Sequence, residues 1–243
     1  MIYSKKPGQS SCGEAIGIVL LDTCIPFIPG DVANATTYKY PVRFQKVPGL
    51  TVERIFNHDT TIMEAVIEAG MALKCEGVRA ITGDCGFMAI YQQEMARRLD
   101  LPVFMSSLLQ VPFMMHLISE TNKVGIITAN SKSLDESVLA ACGANIPDRL
   151  AIRGLEDCPN FASAIIQEQS DLDTEKVEAE VVATAKALLK DAPDVKVLLF
   201  ECSVLAPYGP AVQQATGLPI FDFITMINYV YSAVVKQRFT GYM

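Results

Sequence analysis

Short apolar runs rich in β-branched residues recur along the chain. Between them lie stretches whose apolar positions repeat every three or four residues. "AIGIVLLD" (15–22), "VRAITG" (78–83), "LPVFM" (101–105), "KVGIIT" (123–128), "VKVLLF" (195–200) and "LPIFDF" (218–223) have the length and character of buried strands. Ile62, Ala65, Val66, Ala69 and Leu73 fall on one helical face, with Thr61 and Glu64 spaced as a capping box at its start. A second helix is expected over 86–99, opening immediately after Cys85. A third is opened by Ser133 and Glu136 and ends near Gly143. A fourth spans 174–190 with Val177, Val181, Ala185 and Leu188 as its stripe, and a last one spans 224–238. Strands alternating with helices predict an α/β fold with mostly parallel sheets. Residues 24–50 break the rhythm. Their four prolines and two glycines predict a long ordered loop with a short strand near 42–47, either a lid over a binding site or a plain surface excursion.

The elements repeat. "GIVL" (17–20) has a counterpart in "GIIT" (125–128), and "LPVF" (101–104) has one in "LPIF" (218–221). Cys85 stands 17 positions before Pro102, and Cys202 stands 17 before Pro219. Each half thus reads strand, helix, cysteine-ended strand, helix, LP[VI]F strand. The halves are expected at 1–116 and 117–223, with the C-terminal helix (224–243) packing back on the first.

Composition narrows the function. With 243 residues, half of them hydrophobic, the chain is long enough for one large or two small domains with a proper core. A net charge of −7 without any basic run argues against nucleic-acid binding. No run of about 18 apolar residues exists to span a membrane. The first apolar run is short and flanked by Glu14 and Asp22, so it reads as a core strand and not as a signal peptide. The seven cysteines are odd in number and form no CxxC pair, which points to a reducing cytoplasm rather than a disulfide framework. Only His58 and His116 are present, neither at a zinc-ligand spacing, so no metal is expected. Neither GxGxxG nor GxxxxGK[ST] occurs, so nucleotide cofactors have no positive signal.

Candidate chemistry lies in "ITGDCGF" and "LLFECSVL". Ligands of open α/β sheets bind beyond the carboxyl ends of the strands, where Cys85 and Cys202 both stand. Two such thiols facing one cleft suit inversion of a carbon acid, one removing a proton and the other returning it on the opposite face. Helix N-termini after both cysteines are expected to favour the thiolate and to bind a substrate carboxylate or carbonyl. Asp84 and Glu201, one residue earlier, alternate to the other face of their strands. The plainer alternative is packing, since buried cysteine is a common core residue. Cys75 and Cys142, near helix ends, read as packing residues, and His58, in "NHDT", reads as part of a turn.

The ordered set "GIVLLDT", "TGDCGF", "KVGIIT", "FECSVL" and "LPIFDF" resembles the aspartate/glutamate/hydantoin racemase superfamily over about residues 14–230. The resemblance is greatest to members carrying "IPGDVANATTYKYPV" and "SSLLQVP". It implies two similar flavodoxin-like parallel-sheet halves about a pseudo-twofold axis, with the active site between them. It also implies cofactor-independent two-base proton transfer by Cys85 and Cys202. Implied substrate contacts are Asp22 and Thr23, Gly86 and Phe87, Thr128, and Ser203 and Val204. Glutamate racemases carry Asn-Thr where Gly86–Phe87 stands and Thr-His where Ser203–Val204 stands. The resemblance therefore favours a less polar substrate than glutamate or aspartate, such as a hydantoin-like ring or an apolar carboxylic acid. The expected activity is a racemase or epimerase acting alpha to a carboxylate or carbonyl, in a cytoplasmic homo-oligomer. The alternatives are a maleate-isomerase-like isomerase, another lyase on the same scaffold, or a non-catalytic small-molecule binder.

Overall fold

The computed structural model describes residues 2, 4 and 6–243. The first half runs β1 (Ile16–Leu20), β2 (Val42–Lys46), α1 (Val52–Phe56), α2 (Met63–Cys75), β3 (Ala80–Gly83), α3 (Gln92–Leu99), β4 (Val103–Phe104) and α4 (Val111–Leu117). The second runs β5 (Lys123–Thr128), α5 (Glu136–Ala141), β6 (Leu150–Gly154), α6 (Pro159–Phe161), α7 (Thr174–Asp191), β7 (Val195–Phe200), α8 (Gly209–Thr216), β8 (Ile220–Phe221) and α9 (Phe223–Val234). Two four-stranded sheets result, ordered β2-β1-β3-β4 and β6-β5-β7-β8, with every pairing parallel. The order is the same in both, as the duplicated sequence predicts. Ile16 pairs with Val42 and Ala80 on its two sides, and Val124 pairs with Leu150 and Val197.

The central strands β1, β3, β5 and β7 are buried on both faces, which is why they read as continuous apolar runs. β6 was not visible as one: it is an edge strand, "LAIRG", with Arg153 reaching Asp191 across its outer face. α2 covers one face of the first sheet with Val66, Ile67 and Leu73, while α7 covers the second with Val181, Ala185 and Leu188. One core cluster continues from Ile81 and Leu108 into Val124, Ile126 and Leu199, so the two sheets share their interior. α9 follows the last strand of the second sheet yet lays Phe223, Met226 and Ile227 on Ile16, Ile18 and Phe104 of the first.

Several helix starts differ from expectation. α2 begins at Met63 with no side-chain cap, because the Thr61 hydroxyl donates to Asp59 instead of capping the helix. α5 is capped by Asp135, which accepts from the N–H groups of Ser137 and Val138, and not by Ser133. The helix expected over 86–99 is a 3-10 turn over Gly86–Tyr91 followed by α3. Ser203–Tyr208 and α8 repeat that arrangement in the second half. Cys75 is exposed and so is no packing residue, whereas Cys142 is buried as expected.

The repeated glycines show how tightly helix meets sheet. A Cβ on Gly17 would lie 3.0 Å from Leu73, and one on Gly125 would lie 2.7 Å from Leu198 and 2.9 Å from Val195. Both sites are in the interior, where overpacking typically costs about 1–3 kcal/mol. Gly125→Ala is expected to fall in that range and to exceed Gly17→Ala. Chemical denaturation of the two variants checks the order.

Candidate active site

β3 runs out through Asp84 into Cys85, and β7 runs out through Glu201 into Cys202. Each cysteine keeps an extended backbone (φ −149°, ψ 133° and φ −81°, ψ 136°) before the chain turns into its 3-10 segment. The parallel sheets thus deliver two thiols at matched strand ends. Both line one small cavity of about 50 Å³. Its other walls come from segments outside the repeat: Thr23, Ile25 and Phe27 from the loop after β1, Ile55 and Phe56 from α1, and Ile165 and Ile166 from the turn of π-helix (Ala162–Ile166) after α6.

The loop after β1 crosses to the other half. Ile25 and Ile28 pack on the second core, and the Cys24 N–H donates to the Glu168 carboxylate at 2.7 Å. Gly30, at φ +102°, lies against Pro207, whose ring stands 2.9 Å from where a Cβ would be. A second tie lies farther out: His58 Nε2 is 2.8 Å from the Ser133 carbonyl, and Nδ1 faces Asp135 at 3.4 Å. His58 and His116 do not line the cavity.

Burial dominates the electrostatics. It pushes both thiols well above their ordinary range. For each, the Glu201 carboxyl adds the next largest upward push, and a single backbone N–H, from Phe87 or Val204, works the other way. The expected acidification by helix N-termini is therefore overturned: each turn offers one N–H, and desolvation outweighs it. The carboxyls move the same way. Asp84 rises to about 8 through burial, although both its oxygens accept from the Leu21 N–H at 3.1 Å. Glu201 rises to about 7 and Asp31 to about 6, again through burial. Among the described residues no lysine, arginine or histidine lines the cavity.

Of the residues anticipated from sequence, Thr23, Ser203 and Val204 join Cys85 and Cys202 at the cavity. Asp22 does not, since it turns outward to Lys46 Nζ and the Gly49 N–H, both at 2.8 Å. The Phe87 ring is fully buried edge-on against Phe56, with centroids 5.1 Å apart, so only its N–H serves the site. Gly86 backs onto Glu201, and Thr128 lies behind the thiols, donating to Glu201 Oε2 at 2.7 Å. Asp84 reaches the cavity wall, although strand alternation predicts it facing away. Ile25, Phe27, Phe56, Ile165 and Ile166 were missed. The unusual 24–50 loop was a signal for the first two, and nothing in the repeat marks the others.

No protein-family model matches the chain. A dimethylsulfoniopropionate lyase of Durusdinium sp. clade D is 34% identical over 230 residues, covering 92% of this chain and 76% of that protein. Dimethylsulfoniopropionate lyase 3 of Emiliania huxleyi (strain CCMP1516) is 34% identical over 234 residues, and this chain spans 60% of its length. Among solved structures, allantoin racemase from Pseudomonas fluorescens superposes with a TM-score of 0.61 at 15% identity, over 91% of each chain. Unliganded arylmalonate decarboxylase superposes with a TM-score of 0.56 at 15% identity, over 93% of this chain and 94% of that one. At these identities the superpositions establish the shared two-sheet fold.

The thiols' environments order their reactivity. Under timed alkylation near pH 7, the exposed Cys12, Cys24 and Cys75 are expected to label first and Cys85 and Cys202 far more slowly, because the thiolate is the nucleophile. The labelling rate of the buried pair should still be rising above the ordinary thiol range. Peptide mass spectrometry across a pH series checks both statements.

Proposed function

The chain belongs to the dimethylsulfoniopropionate lyase family, on the scaffold of the aspartate/glutamate/hydantoin racemase superfamily, and from this we propose that it cleaves dimethylsulfoniopropionate to dimethyl sulfide and acrylate. The observation that carries this reading is the pairing of two buried thiols with an apolar cavity that offers an acid, Asp84, and no cationic side chain. A diacid or an amino acid with a polar tail would find no cation to pair with there. A sulfonium zwitterion brings its own cation, clothed in methyl groups that suit Phe27, Phe56 and the isoleucines. Thr23 and Ser203, both lining the cavity, would supply hydroxyl donors to its carboxylate.

The chemistry follows from the charges. The site without substrate holds its thiols neutral through desolvation. A sulfonium entering the cavity supplies the positive charge that the walls lack and favours a thiolate beside it. That thiolate takes a proton from the carbon next to the substrate carboxylate. The C–H electron pair becomes the carbon–carbon double bond, and the bond to sulfur breaks with its pair on sulfur. Neutral dimethyl sulfide and the acrylate anion leave, the thiol is back in its neutral resting form, and the one proton released per turnover is the one lost to solvent when the thiolate forms.

The matched position of the two thiols supports a second reading, inversion alpha to a carboxylate or carbonyl. The two readings differ in stoichiometry. Elimination needs one base and releases a proton. Inversion needs both thiols and releases none. The purified chain is expected to evolve dimethyl sulfide and acrylate in equal amounts from dimethylsulfoniopropionate. Replacing the base cysteine by serine should lower the rate by roughly 10²–10⁴-fold, and the other replacement should cost less. Headspace gas chromatography on the parent, Cys85→Ser and Cys202→Ser measures this. No gas from the parent, together with inversion of a chiral hydantoin or apolar acid that either replacement abolishes, would favour the second reading.

A further inference from the structure

Glu201 immediately precedes Cys202, yet its carboxyl leaves the cavity and crosses to the other half of the molecule. A Cβ on Gly86 would stand 2.6 Å from the Glu201 carboxyl carbon and would collide with Oε1. The residue after Cys85 is therefore glycine at the place where the Glu201 side chain needs the room. Glu201 is fully buried. Oε2 accepts from the Thr128 hydroxyl at 2.7 Å, while Oε1, also buried, has no hydrogen-bond partner. The main chain of Glu201 is pinned as well: its N–H donates to the Ile127 carbonyl at 2.9 Å, and its carbonyl accepts from the Ser107 hydroxyl at 3.0 Å.

The titratable groups it acts on are the thiols of Cys85 beyond β3, Cys202 beyond β7 and Cys142 at the end of α5. Asp84 bears on both Cys85 and Cys202, and Asp31 on Cys202. Among the described residues no cationic group contributes to its environment. A buried carboxylate with one unpaired oxygen and no cation is the costly form, and the neutral acid is the cheap one.

We propose that Glu201 is a positioning residue held as the neutral acid, whose single proton governs the acidity of Cys85 and Cys202 together. The inference rests on these two thiols being the reactive groups, not on the identity of the substrate. Its ionisation, near pH 7 by its raised pKa, would place a negative charge behind both thiols before pH reaches the range of their thiolates. Glu201 thereby couples the two halves: one carboxyl, anchored on β5, touches the turn that follows β3.

Glu201→Gln keeps the shape and is neutral at every pH. At about pH 8, alkylation of Cys85 and Cys202 by iodoacetamide should be about tenfold faster in this variant than in the parent, one pKa unit being tenfold in thiolate. The exposed Cys12 and Cys24 should label equally in both proteins. The rise of the rate of dimethyl sulfide release with pH should move to lower pH in the same variant. Should Glu201→Gln fail to fold, Thr128→Val removes a hydrogen bond that favours the ionised carboxyl. It then keeps Glu201 neutral to higher pH and is expected to speed labelling of Cys85 and Cys202 between about pH 7 and 8, in the same direction as Glu201→Gln. Unchanged labelling of Cys85 and Cys202 in a folded variant would overturn the inference. Faster labelling without dimethyl sulfide release from the parent would leave it standing and sink the lyase reading instead.

Discussion

The carboxyl ends of β3 and β7 meet in a junction that buries both thiols almost completely, and the chemistry of the site follows from that desolvation. Parallel strands carry apolar side chains on both faces, so their ends emerge inside the molecule once loops cover them. Here the loop after β1 and the π-helical turn after α6 provide the cover, clasped by the Cys24 N–H and the Glu168 carboxylate. Four ionisable side chains, Asp84, Cys85, Glu201 and Cys202, are left in a low dielectric without a cation among them. Each is driven toward its neutral form.

The two halves solve the same structural problem with acids of different length. In each, the residue before the cysteine ties its strand to the neighbouring central strand. Asp84 accepts from the Leu21 N–H just beyond β1, and Glu201 from the Thr128 hydroxyl at the end of β5, with the Ala129 N–H also favouring its ionised form. Leu21 and Ala129 follow the paired "GIVL" and "GIIT" segments at the same distance, so the contact is part of the duplication. The extra methylene of Glu201 breaks the symmetry. Asp84 stays at the wall of its own half, while Glu201 reaches over to Gly86 in the other. A pseudo-symmetric scaffold thus presents two thiols that share one buried acid.

Much of this architecture was legible because burial on both faces writes itself into the sequence as apolar runs, and duplication writes the same run twice. The likeness of the two sheets and the convergence of Cys85 and Cys202 follow from those two signals. β6 was illegible because an edge strand needs little apolar character, and Arg153 sits on its outer face. The 3-10 turns after the cysteines were read as helix because both have the same apolar spacing over six residues. The family resemblance implies Asp22 as a substrate contact, but Lys46 and the Gly49 N–H draw it outward, and Asp84 stands at the wall instead. The direction of the thiol shifts was beyond the sequence altogether. It depends on how completely loops far away in the chain shut out water.

The two-sheet fold is shared with a racemase and a decarboxylase, and the elimination proposed for this chain asks of it a carbanion-like carbon next to a carboxylate. What happens to that carbanion depends on its neighbours: a leaving group on the adjacent carbon turns proton removal into elimination. In the proposed reaction the reactants are an anionic thiolate and a cationic sulfonium, and the products at those same positions are a neutral thiol and a neutral sulfide. Charge disappears as the transition state is reached. A site that solvates charge poorly favours such a reaction and works against the reverse one. The desolvation that keeps Cys85 and Cys202 protonated without substrate thus becomes a driving force once a cation has paid for the thiolate. An amino-acid substrate, whose ammonium group survives the reaction unchanged, gains nothing comparable from these walls.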